Sequence, residues 1–305
     1  MFRIILALVI ITAIFSSCQK EYSSGDGTQS LPVNTYNAND SFLTKYVELD
    51  TTQTRGMDTT QKILITYDAQ KRVASLNSVS YNMGLPAPAD SYLTNFLYNG
   101  TDSLPYESIE HELDPMTAVP VAIPTFYGYS GGKKIYDSTI ELNGYDVHRY
   151  YYSPGHLIDS SLNNNPSSPF PVAKNYRNFW FTYSAGDLST QSDTLVSTYN
   201  VLSPAPAYYS NQLFSYDNKK NPFNRIGLRP YFYEIAEWAT YYGAESNNFT
   251  ETNMNFNGSG SPTVSNFHFR FHYEYNAADY PKIVRITDMN DPTDFTKGYF
   301  YYSSL

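Results

Sequence analysis

His268 and His272 stand four residues apart. On a helix that spacing would put two imidazoles on one face, where they could share a metal ion. The surrounding segment argues otherwise. In Phe267-His268-Phe269-Arg270-Phe271-His272-Tyr273-Glu274-Tyr275 every odd position is aromatic and every even one polar, which predicts a strand with one apolar and one polar face. Four strand residues span ~13 Å, so the two rings cannot ligate one ion. They share a polar face with Arg270 and Glu274, either solvated or lining a barrel interior.

The densest acidic run is Glu107-Ser108-Ile109-Glu110-His111-Glu112-Leu113-Asp114. Calcium wants several oxygen ligands, but the run lacks both the DxDxDG-like spacing and the glycine turn of a calcium loop. It reads better as a solvated strand edge or loop. There is no Gly-x-Ser-x-Gly elbow for a nucleophilic serine. His111-Glu112-Leu113-Asp114-Pro115 lacks the second histidine of a zinc-protease motif, and no phosphate-binding or dinucleotide-binding glycine loop occurs. Paired glycosidase carboxylates have no fixed local spacing, so nothing in the sequence marks them. The expectation is a chain that is not an enzyme, with no catalytic residues, no metal and no cofactor.

One helix is expected, near 231–243. Glu234-Ile235-Ala236-Glu237-Trp238-Ala239-Thr240-Tyr241-Tyr242 places Ile235, Trp238, Ala239 and Tyr242 at helical spacing, with Pro230 upstream and Gly243 as C-cap. Trp238, Tyr241 and Tyr242 form a candidate ligand platform, against the plainer reading of a plug or core contact.

The N-terminus carries an address. Met1-Phe2-Arg3 supplies a short positive region, and Ile4 to Phe15 is an apolar run broken only by Thr12. The run is shorter than the ~20 residues of a membrane span and fits a signal peptide over residues 1–17. It ends in Phe15-Ser16-Ser17-Cys18, which resembles a lipobox with Phe in place of the usual Leu. Cys18 is therefore the expected lipidation site. Two acyl chains give a stable anchor, each buried CH2 contributing ~0.8 kcal/mol. Lys20-Glu21 is similar to the short charged tag of surface-exposed lipoproteins. The expected location is the outer membrane of a Gram-negative bacterium, with the cell surface favoured over the periplasmic face. Residues 18–40, rich in Ser, Gly, Asn, Asp and Thr, read as lipidated Cys and flexible tether, and residues 41–305 as a single domain.

Behind these residues stands a chain of 305 residues with net charge -9, 16% charged residues, 31 Tyr, 18 Phe and one Cys. The acidic balance argues against a nucleic-acid partner, which needs a basic footprint. A single Cys excludes an internal disulfide, so stability rests on burial and ladder hydrogen bonds. Aromatic abundance favours sheets. Lys62-Ile63-Leu64-Ile65-Thr66-Tyr67, Asn178-Phe179-Trp180-Phe181-Thr182-Tyr183 and Gly298-Tyr299-Phe300-Tyr301-Tyr302 are further strand candidates, and Asn99-Gly100, Asn143-Gly144, Asn257-Gly258 and Gly131-Gly132 mark turns.

A loose repeat organises the body. A Tyr followed by Asp, Asn or Ser recurs at Tyr67-Asp68, Tyr98-Asn99, Tyr129-Ser130, Tyr152-Ser153, Tyr183-Ser184, Tyr216-Asp217 and Tyr275-Asn276, in steps of 31, 31, 23, 31, 33 and 59 residues. Each Tyr ends a strand, each polar residue caps the turn through its own side chain, and the next strand returns antiparallel.

These units resemble YD-repeat proteins of the Rhs type. The segments Tyr216-Asp217-Asn218-Lys219-Lys220-Asn221-Pro222-Phe223, Ser246-Asn247-Asn248 and Tyr273-Glu274-Tyr275-Asn276-Ala277-Ala278-Asp279-Tyr280-Pro281 resemble, in that order, a family of bacterial lipoproteins with a porin-like β fold. Ala278-Asp279 departs from it where a Gly is usual. The resemblance implies a fold and an address, and no reaction. The triplets at Asp50, Asp58, Asp102, Asp137 and Asp193, each Asp followed by Ser or Thr, are similar to short O-glycosylation sites of Gram-negative envelope proteins, although these residue types also simply favour turns.

The expected fold is all-β: an antiparallel meander of about 14–16 strands curled into a barrel or strongly bent sheet, because an open meander leaves unpaired edges. A mean hydropathy of -0.44 does not decide whether a barrel sits in lipid, but an anchor is redundant for an integral one. The leading expectation is a non-enzymatic binding or accessory module. Its partners are the membrane, through the anchor, and a glycan or an outer-membrane protein. A structural or adhesion component and an integral pore-like barrel are the alternatives.

Overall fold

The structure is a computed structural model that describes residues 42–52, 56–82, 85–87, 91–113, 119–131, 133–141, 144–153, 156–164, 172–184, 187–198, 208–223, 247–257 and 264–304. The expected signal peptide, Cys18, the tether and the expected helix with Trp238, Tyr241 and Tyr242 lie outside these residues.

Among the described residues seventeen strands follow one another: β1 (Phe42–Thr52), β2 (Gly56–Tyr67), β3 (Val73–Asn82), β4 (Leu85–Pro86), β5 (Tyr92–Leu97), β6 (Glu107–Leu113), β7 (Pro120–Ser130), β8 (Lys133–Glu141), β9 (Gly144–Ser153), β10 (His156–Asn164), β11 (Val172–Ser184), β12 (Asp187–Thr198), β13 (Tyr208–Tyr216), β14 (Phe249–Asn257), β15 (Val264–Tyr275), β16 (Pro281–Asp288) and β17 (Phe295–Ser303). β4 is a two-residue strand paired to the end of β3, and β3 pairs onward with β5. Every other strand pairs antiparallel with its successor.

The last strand then pairs with the first. β17 runs antiparallel to β1 from Phe42↔Ser303 to Asp50↔Thr296, and the other edge of β1 carries β2. The ladders therefore form a ring, a barrel with up-and-down topology. Closure gives every described strand but β4 a partner on both edges, and avoiding open edges is the physical reason a long meander curls.

The alternation anticipated for β15 fixes which face is inside. Phe271 and Tyr273 are buried, whereas Arg270, His272 and Glu274 are exposed. Cross-strand register carries that assignment round the ring: Phe271 faces Ile286, Tyr273 faces Val284, and Val284 faces Gly298. The interior core joins Tyr46, Ile63, Ile65, Leu76, Phe96, Tyr127, Phe249 and Phe300 from different strands. Phe223, from the connection after β13, is fully buried among them, edge-on to Tyr46 at 6.3 Å and to Phe300 at 5.9 Å between ring centroids.

The Tyr repeat has a structural meaning. Tyr67 donates its hydroxyl to the Leu43 carbonyl at 2.7 Å, Tyr98 to Val73 at 2.9 Å, Tyr129 to Pro105 at 3.0 Å and Tyr152 to Lys134 at 2.7 Å, and Tyr302, outside the repeat, donates likewise to Pro281 at 2.7 Å. Each bond ties the end of one strand to the start of the preceding strand of the same hairpin, all on one rim. That rim also holds the first residue of β1 and the last of β17.

The polar residue after the Tyr caps the turn, as its type suggested. Asp68 Oδ1 accepts from the amides of Gln70 and Arg72 at 2.8 and 2.9 Å, and Asn276 Oδ1 from those of Ala278 and Tyr280 at 2.9 and 3.1 Å. Lys71 and Asp279 occupy the same place in these two turns, with φ of 64° and 65°. The last turn thus keeps the left-handed residue that a Gly would supply, with an Asp, a type that tolerates it. Asp217 does more than cap its turn. It accepts from the Lys219 amide, from the Asn248 amide and side chain, and from the Tyr275 hydroxyl, so it fastens β13, β14 and β15 together.

Candidate functional site

Charge is sorted by the barrel wall. Away from the Tyr rim the interior turns from aromatic to acidic. Glu48, Asp50 and Asp58 point inward from β1 and β2, Glu110 and Glu112 from β6, Asp137 and Glu141 from β8, Asp146 from β9 and Asp159 from β10, each in phase with buried neighbours. Glu48 accepts from the Tyr46 hydroxyl at 3.1 Å and the Thr60 hydroxyl at 3.3 Å. Burial raises its pKa above the ordinary carboxylate value despite these bonds. Burial, with Glu112 alongside, pushes Glu110 up to about 7.

The densest inward cluster lies on β8, β9 and β10. Lys134 Nζ is 2.7 Å from Asp137 Oδ2, and the Tyr150 hydroxyl donates to the same oxygen at 2.7 Å. The ammonium also lies over the Tyr150 ring, 4.8 Å from its centroid. Lys134, Asp137 and Tyr150 are all buried. Burial pushes the Asp137 carboxyl up, but Lys134, His148 and Tyr150 outweigh it and hold it below the usual range. Beside this pair His148 donates from Nδ1 to Asp159 at 2.9 Å and from Nε2 to Asp146 at 3.3 Å. Burial opposes its charge, yet the flanking carboxylates hold its pKa well above the ordinary imidazole value.

A β-bulge creates the cluster. Register slips between Gly128 and Tyr129 against β8, so Lys134 and Asp137 both face inward although three residues apart, and Ile135 is left exposed. Sequence reasoning missed Lys134, His148 and Asp159. The available signal was the run Asp146, His148, Tyr150 in one strand phase.

The outer face carries cations together with the carboxylates of Glu107, Glu251 and Glu274. Lys62, Arg149, Arg285 and Lys297 project outward from strand segments on different sides of the ring, and Arg270 and His272 do so on β15. In a lipid-embedded barrel a Lys or Arg at the bilayer midplane costs about 2–4 kcal/mol each. The strands are long enough to span, many of them 9 to 13 residues. The outer face is also apolar along β7–β9, where Phe126, Ile140, Tyr145 and Tyr151 are 39%, 49%, 39% and 55% exposed. Among the described residues no helix is long and apolar enough to cross a membrane.

His268 and His272 lie on the outer face of β15, both on the polar side as expected. His268 contacts Glu251 on β14, which also meets Arg270 at 3.5 Å. The acidic run 107–114 is not one cluster. Its strand, β6, lies between β5 and β7 rather than at an edge, and it sends Glu110 and Glu112 inward and Glu107 and His111 outward. Among the described residues no group of three His, Cys, Asp or Glu side chains is arranged to hold a metal ion. Of the Asp-Ser/Thr triplets, Asp102-Ser103-Leu104 lies in an exposed turn, whereas Asp137 is buried in its ion pair.

Fold and site together define an antiparallel up-and-down β-barrel with an aromatic and acidic interior and an outer wall that carries charges of both signs. No protein-family model matches the chain, and no curated protein matches it. Among solved structures it is similar to a porin-like protein from Bacteroides vulgatus ATCC 8482, with TM-score 0.48 and 11% identity over 87% of this chain and 100% of that one. It is also similar to a porin-like protein from Bacteroides uniformis ATCC 8492, with TM-score 0.45 and 7% identity over 86% of this chain and 98% of that one.

Proposed function

We propose that this chain is a lipid-anchored envelope protein of the outer membrane, displayed at the cell surface, whose barrel stands in water as a non-enzymatic binding module for glycans. The observation that carries the reading is the phase of the wall: ionisable side chains point outward at mid-strand on opposite sides of the ring, and the aromatic set points inward. A binding role draws on exposed aromatics, since Tyr106, Tyr145, Tyr151 and Tyr301 present rings to solvent on which sugar faces can stack. The anchor is assigned to Cys18. The tether would then join the barrel at the Tyr rim, where β1 begins, and leave the opposite rim free.

A pore-like integral barrel is the second reading, favoured by strand length and by the apolar outer face of β7–β9. One experiment separates them. Residues 19–305, expressed without the anchor, are expected to be soluble and monodisperse in detergent-free buffer and to bind members of a glycan array. A requirement for detergent would overturn the water-exposed reading and lead to conductance measurements.

A further inference from the structure

The strands at the closure seam carry a surface of unexpected sign. The chain as a whole has 29 acidic residues against 20 Lys and Arg. Yet the described outward positions of β16, β17, β1 and β2 hold Arg285, Lys297, Lys45 and Lys62 and no carboxylate. The acids of the same strands, Glu48, Asp50, Asp58 and Asp288, have the inward phase.

The cations are placed where repulsion opposes folding. Arg285 is the direct register partner of Lys297. Like charges directly opposite on one face are destabilising, and among the described residues no carboxylate forms an ion pair with Arg285 or Lys297. Adjacent strands are about 4.8 Å apart, so Arg285 and Lys297 present two neighbouring positive groups at a spacing close to the length of one sugar residue, with Lys45 and Lys62 at other levels of the same face. Rings hold two of the cations against the wall: the Arg285 guanidinium lies 4.0 Å from the Phe295 ring centroid, and Lys45 Nζ lies 4.3 Å from that of Tyr301. Tyr299 occupies the outward position between Ile283 and Val47.

We propose that this seam face, centred on Arg285 and Lys297 with Phe295, Tyr299 and Tyr301, binds a polyanionic glycan whose sugars carry carboxylate or sulfate groups. The cations, held by Phe295 and Tyr301, take the anionic groups, and the Tyr299 ring takes a sugar face. Cations laid flat on rings suit a chain lying along the wall better than a bilayer, into which lysine stems would extend to reach headgroups. The inference rests on the binding-module reading and narrows it to one surface and one ligand class.

The test uses the full chain, purified from membranes in a non-ionic detergent, with polygalacturonate, heparin, a neutral dextran, and vesicles containing phosphatidylglycerol as probes. Binding to polygalacturonate or heparin, but not dextran, is expected, and it should weaken as salt rises. The double variant Arg285→Gln/Lys297→Gln removes a like-charge contact, so it is expected to fold, and to weaken that binding at least tenfold. Arg149→Gln, on another part of the wall, should leave binding unchanged. Equal binding of dextran and the polyanions, insensitive to the double variant, would overturn the inference and leave the binding-module reading standing. Binding to the vesicles alone would also overturn it, in favour of a membrane-docking face. Failure to bind any glycan would overturn both.

Discussion

The Tyr46 ring of the first strand lies directly over Gly298 of the last. A Cβ built on Gly298 would stand 2.6 Å from Tyr46 Cε2 and 2.8 Å from Cζ, and Tyr46 is fully buried. A glycine normally weakens a strand interior, and an aromatic ring laid over it from a neighbouring strand recovers the lost packing. Here that pairing spans the seam at which the barrel closes. Gly298→Ala is expected to lower stability by about 1–3 kcal/mol, the usual cost of overpacking, as read from the urea midpoint at unchanged slope. In a Tyr46→Ala background the same change should be neutral or favourable, because Gly in a strand costs about 0.5–1 kcal/mol relative to Ala. Additive effects in that cycle would show that the two residues do not interact.

The Lys134–Asp137 pair is buried, so its two halves cannot be removed singly without leaving a charge out of water. Asp137→Asn is expected to cost about 3–5 kcal/mol, since the ammonium then stays buried without its counter-charge. The triple variant Lys134→Met/Asp137→Leu/Tyr150→Phe removes the ammonium, the carboxylate and the hydroxyl that donates to it, and should fold with near wild-type stability. Thermal unfolding of both proteins checks this. A triple variant as unstable as the single one would show that the pair contributes net stability of its own.

This pair also shows where the sequence becomes opaque. Strand period, Tyr-Asp turns and the need to close a long meander were legible, because each follows from local chemistry. Which face of the period points inward was not, because alternation defines two faces without saying which the ring encloses. On β15 the aromatic face turned inward. On β8 the bulge opposite Gly128 and Tyr129 shifts the phase, so a buried Lys134 precedes an exposed Ile135, against every local expectation. The acidic run on β6 misled for a related reason, since neighbours in sequence lie on opposite faces of a strand.

The Tyr repeat makes a quantitative prediction. The hydroxyls of Tyr67, Tyr98, Tyr129 and Tyr152 each satisfy one strand-end carbonyl, and a hydrogen bond of this kind contributes about 1 kcal/mol net. Tyr98→Phe and Tyr152→Phe keep the rings and lose only the bonds to Val73 and Lys134. Each is expected to lower stability by about 1 kcal/mol. The two bonds are in different hairpins and share no partner, so the double variant should show the sum. An unchanged urea midpoint in both single variants would mean that water replaces the bond without cost, and that the repeat serves ring packing instead.

The interior acids make stability depend on pH in a definite direction. Burial, and then Glu112, raise Glu110 to about 7 from an ordinary 4.5, so the folded protein keeps a proton that the unfolded chain releases. Stability is lost as pH rises from about 4.5 through 7, by up to about 3 kcal/mol at roughly 1.4 kcal/mol per pKa unit. Glu48, raised by burial, acts with the same sign. His148 does too: its charge-stabilised form contributes fully below the ordinary imidazole pKa of 6.5, and that contribution is lost as pH rises through its higher folded value. Asp137 and Asp68, held below 3.8 by their cationic and amide partners, act oppositely, losing their contribution as pH falls through their folded values. The stability maximum should therefore lie near about pH 5, with Tm falling toward pH 8. Glu110→Gln keeps a side chain that can accept from Thr94 and removes the titration, so its Tm should fall less over that range. An identical decline in wild type and Glu110→Gln would show that Glu110 ionises in the folded barrel as it does in water.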